Sequence, residues 1–409
     1  MSNNSSALCP KTWCFNLELL PQPIYLVGGA VRDALLGRSA EYLDLDFVVP
    51  ANAVATAKKL AHHYKAGFVI LDAQRQIARV VFAQATVDFA LQEGSSLETD
   101  LRRRDFTVNA IAYNPHTQEI IDPLQGCIDL QQRCLRMVSR QNLQDDPLRL
   151  LRAYRQAAQL SFSIESGTHA AIRTLAPLIK HVAAERVRVE LGYLLAHPQV
   201  TPWLKSAVED RLIEYWFPNA RIADVAAVDA AAGELTKVWS QLTVKLSQCV
   251  RDTVKTTWFS IAKLACLVTP QPEAAEAELI RLTYSRAEIR GVITIVKLLP
   301  LPDQMSVQQQ YFFFQAAGIV FPAVALAAVA QGTSIDAIAP LIDRYLNPND
   351  PVAHPTPLVT GNDLIQFFRI KPSPLVGKLL NAIALAQVEG KVNTLDEALK
   401  FAAALLDNY

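Results

Sequence analysis

Short runs of apolar residues, separated by polar residues, cover the front third of the chain and are typical of an α/β domain. Runs rich in β-branched and aromatic residues predict strands at 24–27, 43–49, 68–71, 78–83 and 86–91. Apolar residues at helical spacing predict helices at 51–64 and at 31–36, where Gly37 follows as a stop signal. We therefore expect a small mixed sheet with helices over residues 20–135.

The strand pattern stops near Asp146, and apolar residues at helical spacing dominate the rest of the chain. Capping-box signals, in which an acidic residue follows three positions later, predict helix starts at Thr394 and, in a looser form, at Thr360. A Pro-rich stretch at 347–357 predicts a linker into a last helical segment. The expected fold class is α/β + all-α, with domains at 1–140, 141–200, 201–345 and 346–409.

One apolar stretch is long enough to cross a bilayer. No charged residue lies between Gln304 and Ile335, and 312–330 alone has the length of a membrane span. Glutamines interrupt the stretch, alanine is only weakly apolar, and flanking Lys or Arg anchors are missing. We therefore expect a buried pair of helices broken at Pro322, and no membrane partner.

Composition narrows the class of protein. The 409 residues are 51% hydrophobic and 19% charged, which excludes a disordered chain and allows a sizeable core. Lys plus Arg number 39, as do Asp plus Glu, so the chain is not a histone-like polycation, although a local basic face remains open. The six cysteines suit neither a zinc knuckle nor a disulfide framework, which favours a reduced, cytoplasmic location.

The first candidate cluster follows the first predicted strand. Gly28 and Gly29 allow the backbone to approach a ligand closely, and the start of the next helix suits a phosphate. Arg32 adds a cation in that first turn. Taken alone, the cluster is more often an ordinary strand-to-helix turn with a surface arginine.

The second cluster is a pair of aspartates on a predicted strand. Asp44 and Asp46 are two residues apart, so both carboxylates point to the same face of the strand. Two like charges side by side suit a cation between them, here paired Mg²⁺ ions that hold a triphosphate. Asp88, on another predicted strand, is a candidate third carboxylate, with an exposed strand aspartate as the equally good alternative.

The third and fourth clusters carry arginines. The first runs from Asp100 to Asn109. Its three arginines, Arg102, Arg103 and Arg104, can clamp polyphosphate or RNA, and Asp105 and Asn109 can bond ribose hydroxyls, with a solvated charge run as the alternative. In the second, Asp146 is predicted to cap a helix that starts at Pro147, and Arg149 lies beside it. Arg152 and Arg155 follow on the same helix.

An acceptor beside a donor matches one edge of cytosine and of adenine, which present an amino group next to a ring nitrogen. Asp146 and Arg149 together could therefore accept C and A and reject G and U. A helix cap with a local ion pair is the more common role of such a pair.

Together these clusters resemble the class II tRNA nucleotidyltransferases, the CCA-adding enzymes and their bacterial poly(A) polymerase relatives. The stretches that carry the resemblance occur in the family's order: YLVGGAVRDALLGR (25–38), DLDFVV (44–49), RRDFTVNAIAYN (103–114), DPLQGCIDL (122–130), DDPLRLLRAYR (145–155) and ERVRVEL (185–191). Residues 361–380 and 386–390 also look like the family's C-terminal helices, so the resemblance covers nearly the whole chain.

The resemblance implies a polymerase-β-like nucleotidyltransferase head, followed by a helical neck that recognises the base, a helical body and a helical tail that binds tRNA. These parts correspond to the four predicted domains in order. It further implies a role for each site residue. Asp44 and Asp46 would bind Mg²⁺, and Gly29 and Arg32 would contact the triphosphate. The ribose would be held by Arg104, Asp105 and Asn109, the base would be read by Asp146 and Arg149, and Arg152 and Arg155 would assist with base or phosphate.

The chain departs from the family pattern in a few places. The usual Glu-Asp pair before the base-reading arginine is Asp145-Asp146, and the usual Gly-Gly of the fourth stretch is Gln125-Gly126. Neither a His-Asp hydrolase signature nor the Gly-Arg-Arg-Phe-like run of the poly(A) branch is present. Only residues 89–99 separate Asp88 from Asp100. Full CCA-adding members have a longer flexible loop at this place, and its absence here resembles the CC-adding branch.

The expected activity is template-independent transfer of CMP from CTP to tRNA 3′ ends by a two-metal mechanism. Full CCA synthesis with ATP as second substrate is left open. An A-adding enzyme or a poly(A) polymerase is the alternative within the family, and an inactive RNA-binding scaffold is the alternative outside it. The intact pair Asp44 and Asp46 argues against the scaffold. The sequence does not indicate an oligomeric state.

Overall fold

In the computed structural model, seven strands from the front of the chain form one mixed sheet. They are β1 (Tyr25–Val27), β2 (Leu43–Val49), β3 (Gly67–Asp72), β4 (Ile77–Val81), β5 (Ala85–Leu91), β6 (Ala112–Asn114) and β7 (Glu119–Ile121). Their order is β3-β4-β5-β2-β1-β6-β7, and only the β2–β5 pair is parallel. The structure describes residues 6–38, 40, 42–251, 256–302 and 304–406.

The predicted strands and helices at the front of the chain are confirmed. The five strands predicted from the apolar runs are β1 to β5, and the two helices are α1 (Gly29–Leu35) and α2 (Ala53–Tyr64). Strands β6 and β7 carry no separate signal in the sequence, because three residues are too few to show an alternation.

The two faces of β2 have different surroundings. Leu45 and Phe47 are at most 1% exposed, and the Phe47 ring contacts the rings of Trp13 and Phe89. On the opposite face Val48 packs in a cluster with Leu101 and others, under the segment that contains α3 (Leu97–Arg102) and a 3-10 helix at Thr107–Asn109. Asp44 and Asp46 share this second face with Val48, because side chains of a strand alternate.

The chain divides into two compact units, Met1–Glu190 with Ser206–Leu212, and Leu191–Lys205 with Ile213–Tyr409. After the sheet, the first unit contains two short paired strands, β8 (Cys134–Leu135) and β9 (Ser163–Ile164). Its further helices are α4 (Gly126–Gln131), α5 (Arg140–Asp145), α6 (Leu148–Leu160), α7 (Ser166–Leu175), a 3-10 helix at Ala176–His181, and the start of α8 (Ala184–Leu195). The division into four domains stays a prediction.

The second unit is almost entirely helical, as the apolar periodicity predicts. Among its described residues, one short antiparallel pair of strands interrupts the helices, β10 (Cys249–Arg251) with β11 (Thr256–Thr257). Its helices, with α9 shared by both units, are α9 (Thr201–Glu209), α10 (Ile222–Val238), α11 (Gln241–Ser247), α12 (Trp258–Leu267), α13 (Pro272–Arg281), α14 (Arg286–Leu298), α15 (Val307–Ala317), α16 (Phe321–Ala330), α17 (Ile335–Leu346), α18 (Gly361–Phe368), α19 (Pro374–Val388) and α20 (Leu395–Leu406). Both predicted capping boxes are present, at Thr360 and at Thr394.

The long apolar stretch forms two helices, α15 and α16, as expected, but the break is not at Pro322. The chain turns at Gly318, whose φ of +47° favours glycine, and a 3-10 turn leads into α16. Pro322 lies in the first turn of α16, where its missing N–H costs nothing. By length and composition Val307–Ala330 could cross a membrane, but 67% of its most apolar window is buried within the chain.

A buried ion pair lies in the helical core of the second unit. Lys263 on α12 is fully buried, and its Nζ lies 2.6 Å from a carboxylate oxygen of Asp229 on α10. The same Nζ donates a hydrogen bond to the carbonyl oxygen of His197 at 2.9 Å and lies 4.2 Å from the centroid of the Phe259 ring. Burial lowers the pKa of Lys263 and raises the pKa of Asp229, because both charges have left water.

We expect Lys263→Ala to reduce the free energy of unfolding by about 3–5 kcal/mol, because it leaves the Asp229 carboxylate buried without its partner. Denaturant unfolding measures the loss, with Lys237→Ala on the exposed face of α10 as the control. The double change Lys263→Met with Asp229→Leu should recover most of the stability, because it removes both charges. Equal stability of Lys263→Ala and the control would contradict this account.

Candidate active site

A cavity of about 400 Å³ in the first unit gathers most of the predicted site residues. The second face of β2, the turn before α1, the segment after α3 and helix α6 all contribute to it. The lining residues are Gly28, Gly29, Arg32, Asp46, Arg103, Arg104, Asp105, Asn109, Arg149, Arg152, Arg155 and Gln156. Three predicted site residues are not among them: Asp44, Asp88 and Asp146.

The glycine turn brings backbone close to the charged groups of the cavity. Gly28 has a φ of +74°, and a Cβ added there would lie 3.3 Å from Arg104 Nη1 and 3.7 Å from Asp46 Oδ2. Any larger residue at this position would therefore be strained by the positive φ and would lie close to the Arg104 guanidinium group. Arg32 is held in place, since it donates to both oxygens of Asp33 and, at 2.7 Å, to Asn109 Oδ1.

Asp44 and Asp46 share one face of β2, as their spacing predicts. Asp44 is exposed and accepts a hydrogen bond from Thr86 Oγ1 at 2.6 Å. Asp46 opens into the cavity. Burial and then the charges of Asp44 and Asp88 raise the pKa of Asp46 to about 7, although Arg104 and Arg79 act in the opposite direction.

Asp88 lies directly beside Asp46 in the parallel β2–β5 pair, but its carboxylate has a protein partner. Arg79 on β4 binds it with two hydrogen bonds, Nε to Oδ1 at 2.7 Å and Nη2 to Oδ2 at 2.8 Å. This fork-shaped pairing is the strongest geometry available to an arginine and a carboxylate. In this conformation Asp88 is neutralised by Arg79, and its predicted role as a third metal ligand stays a prediction.

The carboxylates of β2 fit a Mg²⁺ ion. This ion is usually held by one or two carboxylates together with water and substrate phosphates. Burial and then repulsion from Asp44 and Asp88 raise the pKa of Asp46, and a cation would relieve that repulsion. Asp44 and Asp46 would hold it. Throughout the part of the chain that the structure describes, no three or more His, Cys, Asp or Glu side chains form a complete metal site.

The segment after α3 contributes a network of buried polar groups. Asp105 is 7% exposed, and it accepts hydrogen bonds from the Phe106 N–H at 2.8 Å and from Asn109 Nδ2 at 2.9 Å. Burial alone would raise the pKa of Asp105, but Arg152 and these two donors outweigh burial and lower it. Asn109 also donates to Gln156 Oε1 at 2.9 Å, so two of the three predicted ribose ligands, Asp105 and Asn109, lie at the cavity wall with fixed orientations.

Arg149 on α6 is fixed by backbone carbonyl groups. Its Nη1 donates to the carbonyl oxygen of Arg103 at 2.8 Å and to that of Asn142 at 3.2 Å. Among the described residues its buried Nε has no hydrogen-bond partner, and the same is true of Arg104 Nε. A buried donor without a partner is costly, and both arginines line the cavity, where a ligand could accept from their guanidinium groups.

The predicted helix cap at Asp146 is wrong. Helix α6 begins at Leu148 without a side-chain cap, and the Asp146 carboxylate pairs instead with Arg186 on α8, at 3.1 and 2.9 Å. Arg149 Nε lies 3.8 Å from the same carboxylate. Burial would raise the pKa of Asp146, but Arg186 and then Arg149 lower it. The bidentate arginine prevails over the cap because two charge-assisted hydrogen bonds are stronger than one to backbone.

Arg152 and Arg155 both donate hydrogen bonds to one carboxylate on α8. Glu190 accepts a hydrogen bond from Arg152 Nε at 3.1 Å and another from Arg155 Nε. Arg152 also reaches Asp105 Oδ2 at 3.3 Å. Both arginines line the cavity, as the sequence predicts, with orientations that this pairing fixes.

Sequence reasoning gave no role to four residues that hold the site together. Gln156 and Glu190 lie in stretches that carried the family resemblance or directly beside them, and they would have been found by following α6 and α8 at helical spacing. Asp100 precedes Arg103 and Arg104 by one helical turn, a spacing that predicts contact. Arg79 carries no sequence signal, because its partner Asp88 comes from the next strand.

Three family models match the chain. The model described as "Poly A polymerase head domain" matches residues 24–136, which hold the sheet and the aspartate pair. The model "Probable RNA and SrmB- binding site of polymerase A" matches 161–222, and "tRNA nucleotidyltransferase domain 2 putative" matches 252–403. The matches follow the same order as the sheet and the helical units.

Known relatives and a solved structure agree with these models. A CC-adding tRNA nucleotidyltransferase from Synechocystis sp. is 50% identical over 397 residues, 96% of this chain and 95% of the relative. An A-adding tRNA nucleotidyltransferase from Deinococcus radiodurans is 32% identical over 94% of this chain and 96% of its own length. A structure of a CCA-adding enzyme with CTP has the same fold, with a TM-score of 0.71 and 23% identity over 94% of this chain and 91% of that one.

Half of all aligned positions are shared with the Synechocystis relative along nearly the full length of both chains, and the head-domain model covers the strand that bears the aspartate pair. The order of the matched regions is that of the resemblance noted in the sequence, and the chain belongs to the tRNA nucleotidyltransferase family.

Proposed function

We propose that this chain transfers CMP from CTP to the 3′ end of tRNA and adds two cytidines. The observation that supports the proposal is that one cavity is lined both by the carboxylate of Asp46 on β2 and by the arginines of α6 and of the segment after α3. The 50% identity to a CC-adding relative supports the choice of nucleotide and of tRNA.

The reaction needs two substrates side by side. The 3′-hydroxyl oxygen of the RNA forms a bond to the α-phosphorus of CTP, and the bond to pyrophosphate breaks. Mg²⁺ held by Asp44 and Asp46 would activate that hydroxyl and neutralise phosphate charge. Arg32 and Arg104, which are mostly buried and fixed by neighbouring carboxylates, would orient the triphosphate.

Base selection would fall to α6. The guanidinium group of Arg149, which lines the cavity, would offer donors to the ring nitrogen and carbonyl edge of cytosine. Asp146 offers an acceptor to the amino group, for which its carboxylate would have to leave Arg186 in part. Guanine and uracil present the reverse pattern and would leave these buried groups unpaired.

The short connection after β5 supports a stop after two cytidines. Five residues, 92–96, join β5 to α3. Glu93 in this turn forms an ion pair with Arg103 at 3.0 Å, and a Cβ at Gly94 would lie 2.4 Å from Thr99 Cγ2, so the turn packs tightly on α3. A turn of this kind offers no mobile segment that could refit the cavity for a purine.

Addition of a single A is the second candidate, because the Deinococcus relative is 32% identical over nearly the same length. No feature of the cavity favours poly(A) synthesis over the addition of C or of a single A. An inactive scaffold is disfavoured by the intact carboxylates of β2 and by the arginines that face them.

We expect the protein to add two cytidines to a tRNA that lacks its 3′ end, and to extend a tRNA ending in CC with ATP at least about a hundredfold more slowly. Product length on a sequencing gel, with CTP alone, ATP alone and both, measures this. A full CCA-adding enzyme serves as the positive control for the tRNA-CC substrate. Efficient addition of one A to tRNA-CC would overturn the CC-only proposal and leave nucleotidyl transfer intact.

The remaining assignments follow from the proposal. The six cysteines are free, and the substrates are cellular nucleotides and tRNA, which favours the cytoplasm as the place of action. The tail helices α18 to α20 would bind tRNA, as the resemblance implies.

A further inference from the structure

A fully buried carboxylate lies behind the arginines of the cavity. Asp100 on α3 is 0% exposed. It accepts hydrogen bonds from Arg103 at 3.1 and 3.2 Å, from Arg104 Nη2 at 3.2 Å, and from the backbone N–H of Glu93 at 3.1 Å. One carboxylate therefore ties the turn after β5 to two arginines that line the cavity.

The turn itself is held on α3 by further contacts. Ser96 caps α3 by accepting a hydrogen bond from the Thr99 N–H at 3.2 Å, and Glu93 Oε1 lies 3.0 Å from Arg103 Nη1. Gly94, with a φ of +83°, touches Thr99 where a side chain would not fit. The turn cannot move away from α3 without breaking the Glu93 and Asp100 contacts together.

The backbone of the arginine segment supports Arg149 in turn. The carbonyl oxygens of Arg102 and Arg104 accept hydrogen bonds from Asn142 Nδ2 at 2.8 and 2.7 Å. The carbonyl oxygen between them, that of Arg103, accepts the hydrogen bond from Arg149 Nη1 at 2.8 Å. Arg149 is thus hydrogen-bonded to the backbone of Arg103, the residue whose guanidinium group Glu93 and Asp100 hold.

We propose that Glu93 and Asp100 are positioning residues that set the preference for cytosine over adenine. They do not touch the nucleotide in this proposal. They hold the Arg103 guanidinium group and so restrain Arg103 as a whole, and Arg149 cannot withdraw from a base while the Arg103 carbonyl oxygen stays in place. A purine is larger than a pyrimidine, so its entry requires such a withdrawal. The inference rests on the proposed function, because it takes Arg149 as the residue that reads the base.

The test compares kcat/KM for ATP on tRNA-CC with kcat/KM for CTP on tRNA-C, in the full chain. Glu93→Gln removes the ion pair and keeps the size of the side chain; we expect the ATP:CTP ratio to rise about threefold. Asp100→Asn weakens hydrogen bonds to two arginines, and we expect a rise of about tenfold or more. In both variants the change should appear mainly as higher kcat/KM for ATP.

The matched control lies on the same helix. Glu98 forms an exposed ion pair with Arg102 at 2.6 Å, and neither side chain lines the cavity. Glu98→Gln removes a charge five positions from Glu93 and two positions from Asp100, and it should leave the ratio unchanged. Thermal unfolding of all three variants separates a shift in specificity from loss of folding.

Two outcomes overturn the inference: an unchanged ATP:CTP ratio in Glu93→Gln, or a rise of the same size in Glu98→Gln. Glu93 is half-exposed, so its variant should fold even where Asp100→Asn does not. The unmodified chain tests the proposed function separately. If it adds A readily to tRNA-CC, the CC-only proposal fails, whereas the effect of Glu93 on the ratio can still be measured.

Discussion

Replacement of Asp46 by asparagine is expected to reduce nucleotide transfer by about a thousandfold or more, because the metal's stabilisation of the transferring phosphate is worth several kcal/mol. Asp44→Asn should show a loss of the same order, since both carboxylates share one face of β2 and would hold the same ions. The measurement is single-turnover incorporation of CMP into a tRNA lacking its 3′ end, at saturating Mg²⁺.

Folding should survive the change at Asp46. Its pKa is raised to about 7 by burial and by Asp44 and Asp88, so the folded state disfavours the charged form relative to the unfolded chain. Above pH 7 the ionised carboxylate therefore costs stability, and Asp46→Asn without metal should unfold at the same temperature or higher. Glu119→Gln, an exposed carboxylate change on β7 of the same sheet, is the control for activity. An Asp46→Asn protein that is folded and retains near-normal rates would refute the assignment.

The double change Asp146→Ala with Arg149→Ala is expected to lower the discrimination between CTP and UTP by about a hundredfold or more. A site built to hydrogen-bond a base rejects the wrong one by leaving its own buried groups unpaired, and the double change removes those groups. Triphosphate affinity should change much less, because Arg32 and Arg104 remain. The values of kcat/KM for the four nucleotides, measured separately, test this.

Arg140→Ala is the matched control, because Arg140 is an exposed arginine on α5, close in sequence to the pair. The control should leave discrimination and rate unchanged. If the double variant also keeps its preference for CTP, base reading lies elsewhere in the cavity, and Asp146 serves only to bind Arg186. Circular dichroism of the double variant checks that α6 is intact.

Local signals predicted the elements that carry the site. Strands β1 to β5 follow from runs of β-branched residues, and both faces of β2 follow from the alternation of Leu45 and Phe47 with the aspartates. The glycine turn at Gly28 and the position of Arg149 on α6 could likewise be predicted from the sequence, because each depends on residues a few positions apart.

Contacts between residues far apart in the chain could not be predicted from the sequence. The cap predicted at Asp146 is replaced by an ion pair with Arg186, 40 residues away. The break near Pro322 lies at Gly318, where the backbone turn and not the proline ends the helix. Arg79 pairs with Asp88 only because β4 and β5 are neighbours in the sheet.

The sequence by itself determined the order of elements, the family, and the residue types of the cavity, because periodicity and motif spacing are properties of neighbouring residues. Tertiary structure decided which charged groups are neutralised within the protein and which stay available to a ligand. Arg79 pairs with Asp88, and Arg186 pairs with Asp146, whereas Asp46 and Arg149 line the cavity. The reason is physical: the energy of a charge depends on the distance to its partners and on its burial, and both are settled only when distant segments pack together.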